Sequence, residues 1–156
     1  MEIQPQISRS PRIFIVEDQI MVADLLRRWC EEDLSLPVAG MAMTGRAAIE
    51  QIVSVRPDIV LLDIGLPDIN GYQVLVDLRA RLKSLRAIVI TGYCTLWSAY
   101  RAEGEAVSGL IYKGFGGIAD LRKAISEALA GRRFLAQPFQ NMLHANRLNP
   151  KFFDKV

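Results

Sequence analysis

Cysteine and histidine are scarce in this sequence, which contains two cysteines and one histidine among 156 residues. Cys30 and Cys94 are widely separated, and neither lies in a Cys-x-x-Cys motif or beside a histidine. The spacing expected of a zinc site or a redox pair is therefore missing. Both thiols lie in apolar or helical stretches, so we expect them in or near the core.

Long apolar runs are also missing. No stretch approaches the roughly 18 apolar residues that a membrane-spanning helix needs. Residues 1–10, MEIQPQISRS, lack the apolar core of a secretory signal. We therefore expect a soluble, cytoplasmic protein that does not associate with a membrane. The formal net charge of +2 is too small to predict nucleic-acid binding by itself.

What the sequence does contain is an alternation of short apolar runs with longer segments of helical period, which is typical of parallel strands joined by crossover helices. Runs such as IVLLD and AIVIT are apolar on both faces, so these strands should be covered by helices on both sides. The sequence thus predicts an α/β fold, a doubly wound five-stranded parallel sheet in a three-layer sandwich. We place it at residues 11–131, between a disordered segment at 1–10 and a tail or linker at 132–156. The predicted strands are 12–17, 37–43, 58–63, 86–91 and 109–113, and the predicted helices are 19–32, 45–55, 71–81, 95–103 and 117–130.

Polar residues end four of the predicted strands, where an open parallel sheet collects its ligands. Glu17 and Asp18 end the first strand, Asp63 the third, Thr91 the fourth and Lys113 the fifth. Three carboxylates within about 5 Å repel by about 3 kcal/mol per pair at an effective dielectric of 20, unless a cation lies among them. Mg²⁺ is held by carboxylate oxygens and keeps several waters, which suits the three acidic residues.

Asp63 could then attack phosphorus as a nucleophile and form an acyl phosphate. Lys113 would supply positive charge, and Thr91 a hydroxyl donor, to the phosphoryl oxygens. Each residue taken singly has a simpler explanation, because a carboxylate at a strand end commonly caps a helix or faces solvent. The hypothesis of a phosphoryl-transfer site rests on five matching residue types at four strand ends.

Four segments resemble the receiver domain of bacterial two-component response regulators: IFIVEDQ, VLLDIGLPDINGYQVL, IVITGY and GLIYK. The resemblance implies a flavodoxin-like fold with strand order 2-1-3-4-5. It implies that Asp63 is the phosphoacceptor and binds Mg²⁺ together with Glu17 and Asp18. The backbone carbonyl of Gly65 would complete the metal site.

The resemblance also implies a signalling switch and not an enzyme, with chemistry limited to self-phosphorylation and self-dephosphorylation. A histidine kinase would supply the phosphoryl group. Thr91 would be the switch hydroxyl and Lys113 the phosphate-contacting lysine, and together they would shift a two-state equilibrium. Homodimerisation through the fourth helix, fifth strand and fifth helix is the family's expectation.

Two positions depart from the family pattern. Gly114 stands where the family usually has a proline, and Leu110 where it commonly has an aromatic residue. We expect Tyr112 on the opposite face of its strand from Leu110. The phosphorylation signal could therefore be relayed through Tyr93 or Trp97. For Trp97, packing in the core is the simpler role.

The segment 132–156 resembles the linker that precedes the helix-turn-helix domain in LuxR-type transcription factors, which assigns the chain to that branch. These residues contain no recognition helix, so we expect no direct DNA binding by this chain. The chain is either a fragment of a longer DNA-binding regulator or a protein that acts alone through protein contacts. His144 lies in this segment, away from the strand ends, which argues against a phosphorelay or metal role. The basic residues within 79–86 are interpreted as a solvated face, or else as a docking patch for an acidic partner.

Other functions fit the sequence less well. A nucleotide-binding enzyme would have a glycine-rich turn after the first strand, but EDQIMVADL contains no glycine. A phosphatase with an aspartate nucleophile would have a second aspartate two residues later, where Gly65 stands. The alternative that remains is a degenerate receiver, a phosphorylation-independent protein-interaction module. The absence of any Mg²⁺ effect on stability or fluorescence would favour it.

Overall fold

The computed structural model describes residues 9–148, in which strands and helices alternate as the apolar pattern predicts. The strands are β1 (Ile13–Val16), β2 (Val38–Ala42), β3 (Ile59–Asp63), β4 (Arg86–Thr91), β5 (Gly109–Tyr112) and β6 (Phe134–Leu135). The helices are α1 (Ile20–Arg28), which continues as a π-helical turn at Trp29–Asp33, α2 (Gly45–Val55), α3 (Gly71–Arg81), α4 (Leu96–Gly104), α5 (Gly117–Leu129) and α6 (Gln137–Leu148).

The strands form one parallel sheet in the order β2-β1-β3-β4-β5-β6. Helices α2, α3, α4 and α6 pack on one face and α1 and α5 on the other. Strands β1 and β3 are buried along their whole length, because helices cover both of their faces. The predicted three-layer, flavodoxin-like fold is confirmed, and its first five strands follow the order that the resemblance implies.

Side-chain caps fix the starts of α2, α3 and α4, and the cap of α3 is Asn70, whose Oδ1 accepts the Tyr72 N–H at 2.8 Å. Thr44 Oγ1 accepts a hydrogen bond from the Ala47 N–H at 3.2 Å, so Thr44 is the N-cap of α2. Thr95 Oγ1 accepts one from the Ser98 N–H at 3.1 Å. Helix α4 therefore has a defined start, although its apolar period in the sequence is weak.

The prediction of five strands is wrong, because the sheet has six. Strand β6 pairs in parallel with β5 within the segment expected to be a tail. Helix α6 follows, and Ala136, Phe139 and Leu143 are 0%, 0% and 6% exposed. These residues recur at three- and four-residue spacing, so they form an apolar stripe that packs onto the outer end of the domain.

Two expectations about aromatic residues are also wrong. Trp97 is 60% exposed and not in the core, because the buried face of α4 is formed by Ser98, Ala99 and Ala102. Its ring contacts that of Tyr72 of α3, which is 1% exposed. The two rings meet edge to face, with centroids 5.9 Å apart. Tyr112 and Leu110 pack against the same core cluster, since residues two apart on a strand share a face. The cysteine prediction is confirmed, with Cys30 buried and Cys94 half-buried.

Within residues 9–148, no helix is both long enough and apolar enough to cross a bilayer. The segment expected to be disordered, 1–10, lies mostly outside the described range, as do residues 149–156 of the expected tail. Arg9 is described, and its guanidinium forms an ion pair with Asp58 at 3.2 Å.

Candidate functional site

The acidic residues at the strand ends meet at the carboxyl edge of the sheet. One carboxylate oxygen from each of Glu17, Asp18 and Asp63 lies within 4.8 Å of the others. Lys113 Nζ lies 2.7 Å from Glu17 Oε2 and 3.3 Å from Asp63 Oδ2. The residues come together because β1, β3, β4 and β5 are consecutive neighbours in a parallel sheet, so that their carboxyl ends lie side by side.

Thr91 ends β4, one residue beyond Ile90, which is the pairing partner of Asp63. It is 2% exposed, and its Oγ1 accepts a hydrogen bond from the Tyr93 N–H at 3.0 Å. The hydroxyl is therefore at the same edge as the carboxylates and is tied to the loop that leads into α4. Its contact with a phosphoryl group stays a prediction.

The site is largely shielded from solvent, with Glu17 1% and Asp63 5% exposed. Burial raises the pKa of the Glu17 carboxyl, against the lowering effects of its hydrogen bonds with Lys113 and the Gln19 N–H, and the negative charge of Asp63 raises it further. Burial alone would lower the pKa of Lys113. The hydrogen bond to Glu17 and the charges of Asp63 and Glu17 outweigh it, so the pKa of Lys113 is raised and the ammonium is retained.

The donor set fits a hard divalent cation. Glu17 Oε2 is buried and lies 2.7 Å from the Lys113 ammonium, its ion-pair partner. A carboxylate oxygen that accepts from one donor keeps a second lone pair, and one oxygen from each of three carboxylates lies within 4.8 Å of the others, so the cluster offers the hard oxygen ligands that Mg²⁺ prefers. Glu17, Asp18 and Asp63 are the residues that would hold it.

The loop after β3 is packed closely around Asp63. The Gly65 N–H donates to Asp63 Oδ1 at 3.2 Å, whereas a metal contact through the Gly65 carbonyl stays a prediction. Asp68 bridges this loop to α2, because its carboxylate accepts the Gly45 N–H at 2.7 Å and the Arg46 N–H at 2.9 Å. These hydrogen bonds, the one from Arg46 foremost, hold the pKa of Asp68 down at about 2.

The atypical positions beside Lys113 have their own packing. Leu110 is 0% exposed in the core. A Cβ atom at Gly114 would lie 2.9 Å from the Tyr112 ring, so glycine permits the close approach of the loop to that ring. The Tyr112 ring in turn meets Phe139 of α6 edge to face, with centroids 6.4 Å apart.

The chain matches a known protein family over most of its length. The family model of the response regulator receiver domain matches residues 13–126, which include all six predicted site residues. The chain belongs to this family. It is the receiver of a two-component response regulator, and its relatives include a transcriptional activator.

That activator is the DNA-binding transcriptional activator DevR/DosR of Mycobacterium tuberculosis, to which the receiver is 32% identical over 124 residues, 80% of this chain and 57% of the relative. A protein-glutamate methylesterase/protein-glutamine glutaminase of Nitrobacter winogradskyi is 35% identical over 78 residues, 50% of this chain and 18% of that protein. The receiver thus spans little more than half of the length of the activator and less than a fifth of the length of the methylesterase.

A solved structure shows the same architecture. The crystal structure of a two-component response regulator of the LuxR family from Aurantimonas sp. SI85-9A1 superposes with a TM-score of 0.84 at 26% identity. The match covers 90% of this receiver and 100% of that chain. This similarity supports the assignment to the LuxR-type branch.

Two residues that contribute to the structure near the site, Asp68 and Phe139, are not predicted from the sequence. Asp68 was not singled out, because its carboxylate accepts from the N–H groups of Gly45 and Arg46 at the start of α2, which are distant in sequence and give no local signal. Phe139 was assigned to a linker, although its spacing from Leu143 and the proline at 138, in the first turn of α6, indicate a helix.

Proposed function

We propose that this receiver is a phosphorylation-dependent switch of a two-component system, with Asp63 as its phosphoacceptor. The observation that carries the proposal is the three-carboxylate cluster within 4.8 Å, with the Lys113 ammonium 2.7 Å from Glu17 and 3.3 Å from Asp63. Solvent-facing or helix-capping carboxylates would not need this burial or this cation. The arrangement supports a site that binds a hard cation and a phosphoryl group together.

In the proposed reaction, an Asp63 carboxylate oxygen attacks the phosphorus of a phosphohistidine on a histidine kinase. The new O–P bond forms as the N–P bond breaks, and the released imidazole takes up a proton from solvent. Lys113 compensates negative charge on the phosphoryl oxygens, and the Thr91 hydroxyl donates a hydrogen bond to one of them.

Glu17, Asp18, Asp63 and the Gly65 carbonyl would hold Mg²⁺, which would supply further charge neutralisation at the phosphoryl oxygens. The chain's own share is to position these oxygens before the phosphodonor arrives. Lys113, whose ammonium lies 3.3 Å from Asp63 Oδ2, would contact the oxygens of a phosphoryl group on Asp63.

The output of the switch is proposed to be a homodimer through α4, β5 and α5. In a full-length cytoplasmic regulator, this dimer would control transcription through a DNA-binding domain, as the DevR/DosR relative and the LuxR-family neighbour suggest. Direct DNA binding and catalysis on other substrates are not part of the proposal for these residues.

Incubation with acetyl phosphate and Mg²⁺, followed by intact-protein mass spectrometry, tests the assignment. We expect the mass of one phosphoryl group to be gained, and to be lost on mild alkaline treatment, as an acyl phosphate requires. Asp63→Asn should gain none, whereas Asp33→Asn, at an exposed aspartate after α1, should behave as the parent. A phosphoryl group retained by Asp63→Asn would contradict the assignment.

A Mg²⁺ titration separates this proposal from a phosphorylation-independent interaction module. Binding at Glu17, Asp18 and Asp63 should raise the free energy of unfolding, by about 2.7 kcal/mol at a hundredfold excess over the dissociation constant. If Mg²⁺ changes neither the free energy of unfolding nor the tryptophan fluorescence, the interaction module is favoured. Leu110 and Gly114, which depart from the family pattern, are the residues that support this alternative.

A further inference from the structure

The face that the proposed dimer would use is already occupied by the chain itself. Strand β6 pairs with the outer edge of β5, where the Phe134 N–H donates to the Ser108 carbonyl at 3.1 Å and the Ala136 N–H to the Leu110 carbonyl at 2.9 Å. Without β6, these carbonyls would form part of an open sheet edge, which is a ready site for pairing with another chain. We call residues 134–148, which comprise β6 and α6, the cover.

Helix α6 extends the cover over α4. Phe139 is 0% and Leu143 6% exposed, and the Phe139 ring contacts Tyr112 of β5. At the outer rim, Asn146 Nδ2 donates to the Tyr100 hydroxyl of α4 at 2.6 Å. A second copy could not reach β5 and this part of α4 while the cover is in place, so cover and dimer are mutually exclusive on this surface.

Short contacts connect the cover to the phosphorylation site. Thr91 Oγ1 accepts the Tyr93 N–H at 3.0 Å. The next residue, Cys94, donates its thiol to Met142 Sδ of the cover at 3.9 Å. A shift of Thr91 toward a phosphoryl group on Asp63 would break or redirect the first bond and move the loop that holds Met142.

The connection between cover and domain is suited to movement. Residues 130–133 separate α5 from β6, and Gly131 has φ +74°, in the left-handed region that favours glycine. Arg132 is held to Glu127 of α5 by hydrogen bonds of 2.6 and 3.2 Å, so the connection stays with α5. Strand β6 is two residues long and pairs with β5 at the sheet edge, so release of the cover would break strand pairing at that edge alone.

We propose that the surface formed by the β5 edge and α4 is an interface for a second copy of this chain, that the cover closes it in the unphosphorylated state, and that phosphorylation of Asp63 releases the cover. The inference rests on the proposed phosphorylation of Asp63. It also accounts for Leu110. The family commonly has a mobile aromatic residue at this position, whereas in this chain the position holds a core leucine and the displaceable helix α6 takes over the moving part.

A disulfide staple tests the release. Met142 Sδ lies 3.9 Å from Cys94 Sγ, so Met142→Cys is the variant designed to tie α6 to the loop before α4 on oxidation. Cys30 is 0% exposed and stays out of reach. Hydrogen exchange of residues 134–148 reports release, light scattering reports dimerisation, and intact mass reports phosphorylation independently of both.

With acetyl phosphate and Mg²⁺, the reduced variant should gain one phosphoryl group, exchange the cover amides about tenfold faster or more, and dimerise. The oxidised variant should gain the same phosphoryl group yet stay a protected monomer until it is reduced. A phosphorylated protein with unchanged cover protection, or a stapled protein that dimerises, overturns this inference and leaves the proposed function intact. Failure to gain a phosphoryl group overturns both.

A second variant releases the cover without phosphorylation. Phe139→Ala removes the buried anchor of α6, so we expect fast exchange in 134–148 and dimers without a phosphodonor. The matched control is Asn141→Ala, because Asn141 is exposed on α6 and its side chain pairs with Gln137 at 2.8 Å, away from the domain. Phe139→Ala protein with a mobile cover that remains monomeric contradicts the proposed interface.

Discussion

Replacing Lys113 with methionine removes the cation that balances the buried carboxylates. Two opposite unit charges about 3 Å apart attract by about 5 kcal/mol at an effective dielectric of 20, and the cost of burying them offsets much of that gain. Removing one partner leaves the other buried without compensation, which costs about 3–5 kcal/mol. Because Lys113 is 21% exposed, some water relieves the remaining charge, and we expect about 3 kcal/mol.

Urea unfolding at neutral pH with a chelator present measures this loss. A control is Lys123→Met, at an exposed lysine of α5, which should change the free energy of unfolding by less than about 0.5 kcal/mol. In a Glu17→Gln background, the loss from Lys113→Met should shrink by about 1–3 kcal/mol, since the carboxylate it balances is gone. The reasoning is refuted if Lys113→Met is nearly neutral, or costs the same with and without Glu17.

Three further predictions concern the surroundings of the site. Gly71→Ala should lower the free energy of unfolding by about 1–3 kcal/mol, because its Cβ would overlap the backbone at the end of β3, while Gly92→Ala, with open space around its Cβ, serves as the control in the same urea titration. Asp68 has a folded-state pKa of about 2, which is lower than its unfolded value, so its carboxylate stabilises the fold above about pH 4 and loses this effect as the pH falls toward 2. Acid unfolding of Asp68→Asn should therefore lack this pH-dependent component. Burial raises the pKa of Cys30 to about 12, so iodoacetamide in mild base should label Cys94 first in a mass-spectrometric time course, and equal labelling would contradict the buried position.

The sheet and the site could be predicted from the sequence because both depend on local pattern. Runs such as IVLLD at 59–63 are apolar on both faces, which indicates buried parallel strands, and the polar residues that end them must meet once the strands are neighbours. The sequence alone therefore predicts that Asp63 and Lys113 lie close together. The capping role of Thr44 follows from the same local reasoning.

The sixth strand depends on tertiary contacts instead. Phe134 and Leu135 are too short a run to indicate a strand, and they form one because β5 has an open edge beside them. Trp97 illustrates a different limit, because helix α4 buries the small residues Ser98, Ala99 and Ala102 and leaves the large apolar ring on its outer side. The prediction that Tyr112 lies on the opposite face of β5 from Leu110 is wrong because residues two apart on a strand share a face.

The central claim is that Asp63 carries the phosphoryl group, and the chemistry of the acyl phosphate tests it most directly. Borohydride reduces an aspartyl phosphate to homoserine, which peptide mass spectrometry locates in the sequence. After treatment with acetyl phosphate and Mg²⁺, we expect homoserine at position 63 and nowhere else in the chain. Reduction at another carboxylate such as Asp18, or a phosphoryl group that borohydride does not remove, would contradict the account.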